Sequence, residues 1–86
     1  MDIFIYFSAD PDVERDFVEE RLEEILEGKG EVTGGGAGID GANIDIELEK
    51  GGGNEETIKA IETELIRLKM PADTYLVIDG EKHKLY

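Results

Sequence analysis

Two rhythms of apolar residues alternate along this chain, and each predicts a different kind of element. Ile3-Phe4-Ile5-Tyr6-Phe7 is an unbroken β-branched and aromatic run, with turn-prone residues from Ser8 to Asp10 after it. Such a run predicts a buried first strand. Asp10-Pro11 then predicts a helix start, since Asp accepts hydrogen bonds from free amides and Pro at the first helical position gives up no needed donor. Val13, Phe17, Val18, Leu22, Ile25 and Leu26 make one apolar face through about residue 27, and Gly28-Lys29-Gly30 is a stop signal.

The rhythm changes after the stop. Val32 to Ile39 is interrupted by Gly34, Gly35, Gly36 and Gly38, whereas Ala42 to Glu49 alternates strictly. In that second segment Ile44, Ile46 and Leu48 point one way and Asp45, Glu47 and Glu49 the other, the pattern of a half-buried strand. Asp40-Gly41 is a favoured two-residue turn, so the glycine segment is expected to pair back onto Ala42–Glu49. That register sets Gly34 and Gly36 opposite Glu47 and Asp45.

Gly51-Gly52-Gly53 reads as a short connector, and Asn54 as the cap of a second helix with Glu55 and Glu56 in its first turn. Ile58, Ile61, Leu65 and Leu68 give it an apolar stripe, and Pro71 is expected to end it. Thr74 to Ile78 predicts a further strand, and Asp79-Gly80 a hairpin turn into Glu81–Tyr86.

The order is β-α-β-β-α-β with a short extra strand. It predicts one α+β domain over residues 1–86, a ferredoxin-like split βαβ sandwich with two helices on one face of an antiparallel sheet. The first and third strands are expected at its centre.

Strand parity then assigns the other face. With Ile3, Ile5, Phe7, Leu76 and Ile78 inward, Phe4, Tyr6, Tyr75 and Val77 are left outside. Lys82 and Lys84 are expected opposite Val77 and Tyr75, and Asp45, Glu47 and Glu49 form an acidic row on the same side. An apolar patch of this kind predicts a partner, most simply a second copy of the chain, unless the C-terminal segment folds over it.

Composition narrows the chemistry. Hydrophobic residues are 40% of the chain, enough for a folded core in 86 residues. Nine basic residues against 22 acidic ones give a formal charge of −13, which disfavours nucleic acid and anionic membranes and favours a basic partner. An immunity- or antitoxin-like inhibitor of a basic nuclease is one reading of that charge. With no cysteine, disulfides and thiolate chemistry are excluded. The apolar start is too short for a signal peptide, and a cytoplasmic location is expected.

No motif argues for an enzyme. Gly36-Ala37-Gly38-Ile39-Asp40-Gly41 matches G-x-G-x-x-G, but the dinucleotide fingerprint needs a helix to follow, and here a strand does. Asp45 and Glu47 beside the glycine strand suggest a small-molecule or divalent-cation site, although residues two apart on a strand are about 7 Å apart. Polar-out alternation, ordinary in antiparallel sheets, is the preferred account of them. His83, between Lys82 and Lys84, has no acid to orient it, and Ser8 and Thr33 have no local base. Aromatics on a sheet also suit RNA stacking, but the acidic neighbours oppose it. The expectation is therefore a non-enzymatic interaction module without cofactor, using Phe4, Tyr6, Tyr75, Val77, Asp45, Glu47 and Glu49.

Overall fold

The aliphatic side chains of the first strand decide the architecture, because Ile3 and Ile5 are wholly withdrawn from solvent. The computed structural model describes residues 1–8, 14–38, 41–49 and 54–86. Asp10-Pro11, Asp40 of the expected hairpin turn and the Gly51–Gly53 connector lie outside the described residues, as does the side chain of Asn54. The first helix starts later than the Asp10-Pro11 signal predicts, because Glu14 is still extended and the helical turn begins at Arg15. The described elements are β1 (Asp2–Phe7), α1 (Arg15–Leu26), β2 (Gly30–Gly38), β3 (Gly41–Leu48), α2 (Asn54–Arg67), β4 (Tyr75–Ile78) and β5 (Glu81–Lys84).

The protein is α+β, with a five-stranded sheet in the order β2-β3-β1-β4-β5 and every neighbour antiparallel. As the alternation requires, β1 and β3 lie side by side inside the sheet. Their inward residues Ile3, Ile5, Phe7, Ile44, Ile46 and Leu48 join Leu76 and Ile78 of β4 in one core. The helices supply Val18, Leu22, Leu26, Ile61 and Leu65 to the same cluster. Burying each such side chain is worth about 1.5–3 kcal/mol, so this layer is the main source of stability. No helix among the described residues is long and apolar enough to cross a membrane.

In α1 the buried row is Val18, Leu22 and Leu26, spaced four apart along one ridge. Phe17, expected in the apolar face, is instead 51% exposed. One residue before Val18 is a step of about 100° around the helix, which turns Phe17 off the sheet-facing ridge. The helix closes through Glu27 and Gly28, both at positive φ, with the Lys29 N–H donating to Leu26 O at 2.8 Å.

Helix α2 ends before Pro71, by a different device. Lys69 takes a left-handed φ of 58°. Its N–H donates to Ile66 O, and the Met70 N–H reaches back to Leu65 O. This is the paired-bond helix stop known as the Schellman motif, with buried Met70 as the accompanying apolar contact.

Among the residues of that helix, Glu64 is unexpectedly shielded, its side chain 7% exposed. It accepts from Arg67 Nη2 at 2.5 Å and from Arg21 Nε of α1 at 3.4 Å. The hydrogen bond from Arg67 is the main influence holding its carboxyl below the usual glutamate range, and Arg21 acts in the same direction.

The β2–β3 register differs from the sequence expectation by two residues. Gly38 pairs with Gly41, Gly36 with Asn43 and Gly34 with Asp45, so Gly41 belongs to the strand rather than to the turn. Gly41 has φ +149°, and a side chain on it would run into the Phe7 carbonyl. A glycine tolerates that conformation, so pairing continues past the point where the Asp-Gly pattern would place the turn. A shift of two keeps Gly34, Gly36 and Gly38 on their expected face. Between Val32 and Gly34 the ladder then slips by one, with Thr33 as the bulged residue. The Val32 N–H donates to Glu23 Oε1 of α1 at 3.1 Å, which supplies an acceptor at the irregularity.

Candidate partner interface on the open sheet face

Because β1 is central and its period is two, its outward side chains are presented in the middle of the face that the helices leave uncovered. Phe4 and Tyr6 are half-buried there. In the next strand Val77 lies opposite Phe4 and Tyr75 opposite Tyr6. The two tyrosine rings stack, with centroids 5.1 Å apart and planes 22° from parallel. Such a pair adds about 0.5–1.5 kcal/mol beyond its burial and holds both rings rigidly.

Toward the β5 rim the face becomes basic. The Asp79-Gly80 turn, both residues at positive φ, sets Val77 opposite Lys82 and Tyr75 opposite Lys84. Lys82 Nζ lies 4.3 Å from the Tyr75 ring centroid, a cation–π contact that stretches the aromatic surface outward. His83 points to the opposite side of this edge strand, across from Leu76, and is solvent-exposed.

Toward the other rim the face becomes acidic. Asp45 lies opposite Phe4 and Glu47 opposite Asp2, while Glu31 of β2 pairs with Glu47. Asn43 Nδ2 donates to Asp45 Oδ1 at 2.9 Å, fixing that carboxylate in the row. Glu49 lies just past the end of β3 and is exposed. With Glu31 and Glu47 it lines a shallow depression at that end of the sheet. Among the described residues no three Asp, Glu or His side chains are grouped closely enough to hold a metal ion.

The glycines of β2 divide by face. A methyl group on Gly30 would come 2.6 Å from Glu47 O, and one on Gly35 would press on the Asn43 carbonyl and come 3.0 Å from Arg15 Nη1. Those positions have no room. On the outer face, a methyl on Gly34 would meet nothing nearer than Asp45 Oδ2 at 3.9 Å, one on Gly36 only Asn43 Oδ1 at 3.6 Å, and one on Gly38 nothing within 4 Å. Packing within the chain therefore demands glycine on the inner side and leaves it undemanded on the outer side, where bare backbone forms a low strip. The strip runs into a cleft of about 520 Å³ at the ends of the strands, walled by Tyr6, Tyr75 and Asn43.

The C-terminal segment leaves this face open. Leu85 inserts into the core and the Tyr86 hydroxyl donates to Met70 O at 2.7 Å, so the last residues run toward the end of α2 rather than along β1. The parity of the strands thus brings Phe4, Tyr6, Tyr75 and Val77 together in one patch, with Asp45 and Glu47 beside it and Glu49 at its corner. What sequence reasoning missed is the part played by Asn43. Its signal was the i, i+2 spacing to Asp45, which puts amide and carboxylate on one side of a strand. The chain matches no protein-family model, no curated protein and no solved structure.

Proposed function

We propose that this chain is a non-enzymatic interaction module of ferredoxin-like, split βαβ build that engages a protein partner with the open face of its sheet. The strand order β2-β3-β1-β4, antiparallel throughout, supports that build. One observation carries the functional reading. Four large apolar side chains, Phe4, Tyr6, Tyr75 and Val77, adjoin one another on the side away from the core, and two of them are locked as a stacked pair. Rigid aromatics give large contact area at small entropic cost, and an apolar patch rimmed by charge is the usual anatomy of a recognition surface. The surrounding carboxylates and lysines give orientation and exclude mismatched partners.

The test is photo-crosslinking in the expressing cell. A benzoylphenylalanine introduced at position 6 is expected to give a protein adduct on irradiation, and one at position 17, exposed on α1, is not. Adducts from neither position, or equally from both, overturn the reading.

A further inference from the structure

We infer that the partner is a second copy of this chain, seated face to face about a two-fold axis that runs along the strands. The inference rests on the open face being a partner surface, and it adds the occupant and its orientation.

Two gradients cross the face in the same direction. The first is electrical: Glu31, Asp45 and Glu47 lie on β2 and β3, and Lys82 and Lys84 on β5. The second is a gradient of height. Tyr75, Lys82 and Lys84 raise the β4–β5 side, whereas Gly34, Gly36 and Gly38 leave the β2 side as bare backbone. A two-fold axis parallel to the strands and placed over β1 reverses the strand order of the second sheet and keeps its residue rows in step. Lys82 then meets the Asp45 carboxylate, Lys84 lies over Gly36 beside Asn43, and the raised side of one copy enters the low side of the other. Lys82 of one copy comes over Gly34 and Asp45 of the next, while Phe4 and Tyr6 of the two copies meet at the centre. An axis across the strands does the reverse, setting lysine on lysine and glycine on glycine. Of the two, the first matches the heights and brings Lys82 to Asp45, at the cost of setting the exposed Asp2 carboxylates of the two copies near each other at one end of β1. It leaves the strands of the two sheets nearly aligned, a common way for sheets to stack.

Size sets the strength. Five strands spaced about 4.8 Å apart and about 20 Å long present roughly 500 Å² in projection. That falls at the low end for stable complexes, which bury about 800 Å² per partner, so a micromolar dimer is expected. The formal charge of −13 opposes association, but the helices lie on the other face of each sheet, and salt screens their acids over ~8 Å.

Analytical ultracentrifugation at physiological salt, from about 10 to about 500 μM, is expected to show a monomer–dimer equilibrium. Lys82→Glu with Lys84→Glu, and separately Asp45→Lys with Glu47→Lys, are each expected to weaken it at least tenfold, and mixing the two variants to restore a heterodimer. Gly36→Thr fills the low strip at a position with room for a side chain. It is expected to stay folded by circular dichroism while losing dimer. Wild type that remains monomeric throughout overturns the inference, as does a dimer that neither charge reversal nor Gly36→Thr disturbs. A monomeric wild type that still gives the position-6 adduct with another protein overturns only the second copy as occupant. Loss of the adduct as well overturns the partner surface itself.

Discussion

Alanine placed in turn at neighbouring glycines of β2 should change stability with alternating sign. At Gly34 and Gly36 the new methyl enters open space, 3.9 and 3.6 Å from the nearest side-chain oxygen. The gain there comes from the unfolded chain, which loses backbone freedom worth about 0.4–1 kcal/mol when Gly becomes Ala without strain. At Gly30 the same methyl falls 2.6 Å from Glu47 O and 2.8 Å from Leu48 Cδ2. At Gly35 it meets backbone and Arg15 with φ at +158°. Displacing packed backbone, or holding a non-glycine residue in a sparsely populated conformation, costs about 1–3 kcal/mol. The outer and inner sites should therefore differ by about 2–3 kcal/mol. In a domain of 86 residues, each kcal/mol moves Tm by about 4–8 °C. Gly36→Ala should melt a few degrees above wild type, and Gly35→Ala about 10 °C below it. Urea titration at dilutions that keep the protein monomeric measures the difference, with an unchanged m-value as the check on two-state behaviour. If Gly34→Ala and Gly36→Ala destabilise as much as Gly35→Ala, the outer glycines serve the backbone after all, and the low strip is a by-product of strand geometry.

Other expectations follow from the core and the caps. Leu22→Ala should cost about 2–5 kcal/mol in chemical denaturation, since Leu22 is fully buried between α1 and the sheet, whereas Phe17→Ser should cost under about 1 kcal/mol. Lys69→Gly should raise stability by about 0.5–1 kcal/mol, because it removes the Cβ penalty at a left-handed helix stop. Glu64, whose carboxyl is held below the usual range by Arg67 and Arg21, stabilises the fold above its unfolded-state pKa and loses that contribution as pH falls through its folded-state value. Glu64→Gln should accordingly destabilise at neutral pH by about 1–2 kcal/mol, and the gap from wild type should narrow on acidification to about pH 3.

The faces of the sheet were legible because strand period is strict. Ile44, Ile46 and Leu48 alternate with Asp45, Glu47 and Glu49, and no shift by two residues can disturb that assignment. The register of β2 was not legible, and the cause is chemical: glycines carry no side chain whose burial would penalise a slip, so Thr33 is free to bulge. In α2 the apolar stripe was visible at Ile61 and Leu65, but the burial of Glu64 was not. Its partner Arg67 lies three residues on and was visible in principle, while Arg21 belongs to the other helix and is brought near only by the fold. The aromatic patch was read from the preference of Ile over Phe and Tyr for the helix-facing side of β1. The added Tyr6–Tyr75 ring stack needed the strand pairing to be known.

The two rims of the sheet also limit what can be built from this protein. One rim is a four-residue ribbon, Glu-Lys-His-Lys, whose charged tips discourage another backbone from zipping alongside. The opposite rim is longer, but its ladder is broken at Thr33, so a straight newcomer would fall out of step after a few bonds. Growth by adding strand to strand is blocked at both margins. Concentrated solutions should stay clear of fibrils, and any assembly should stop at a closed number of copies.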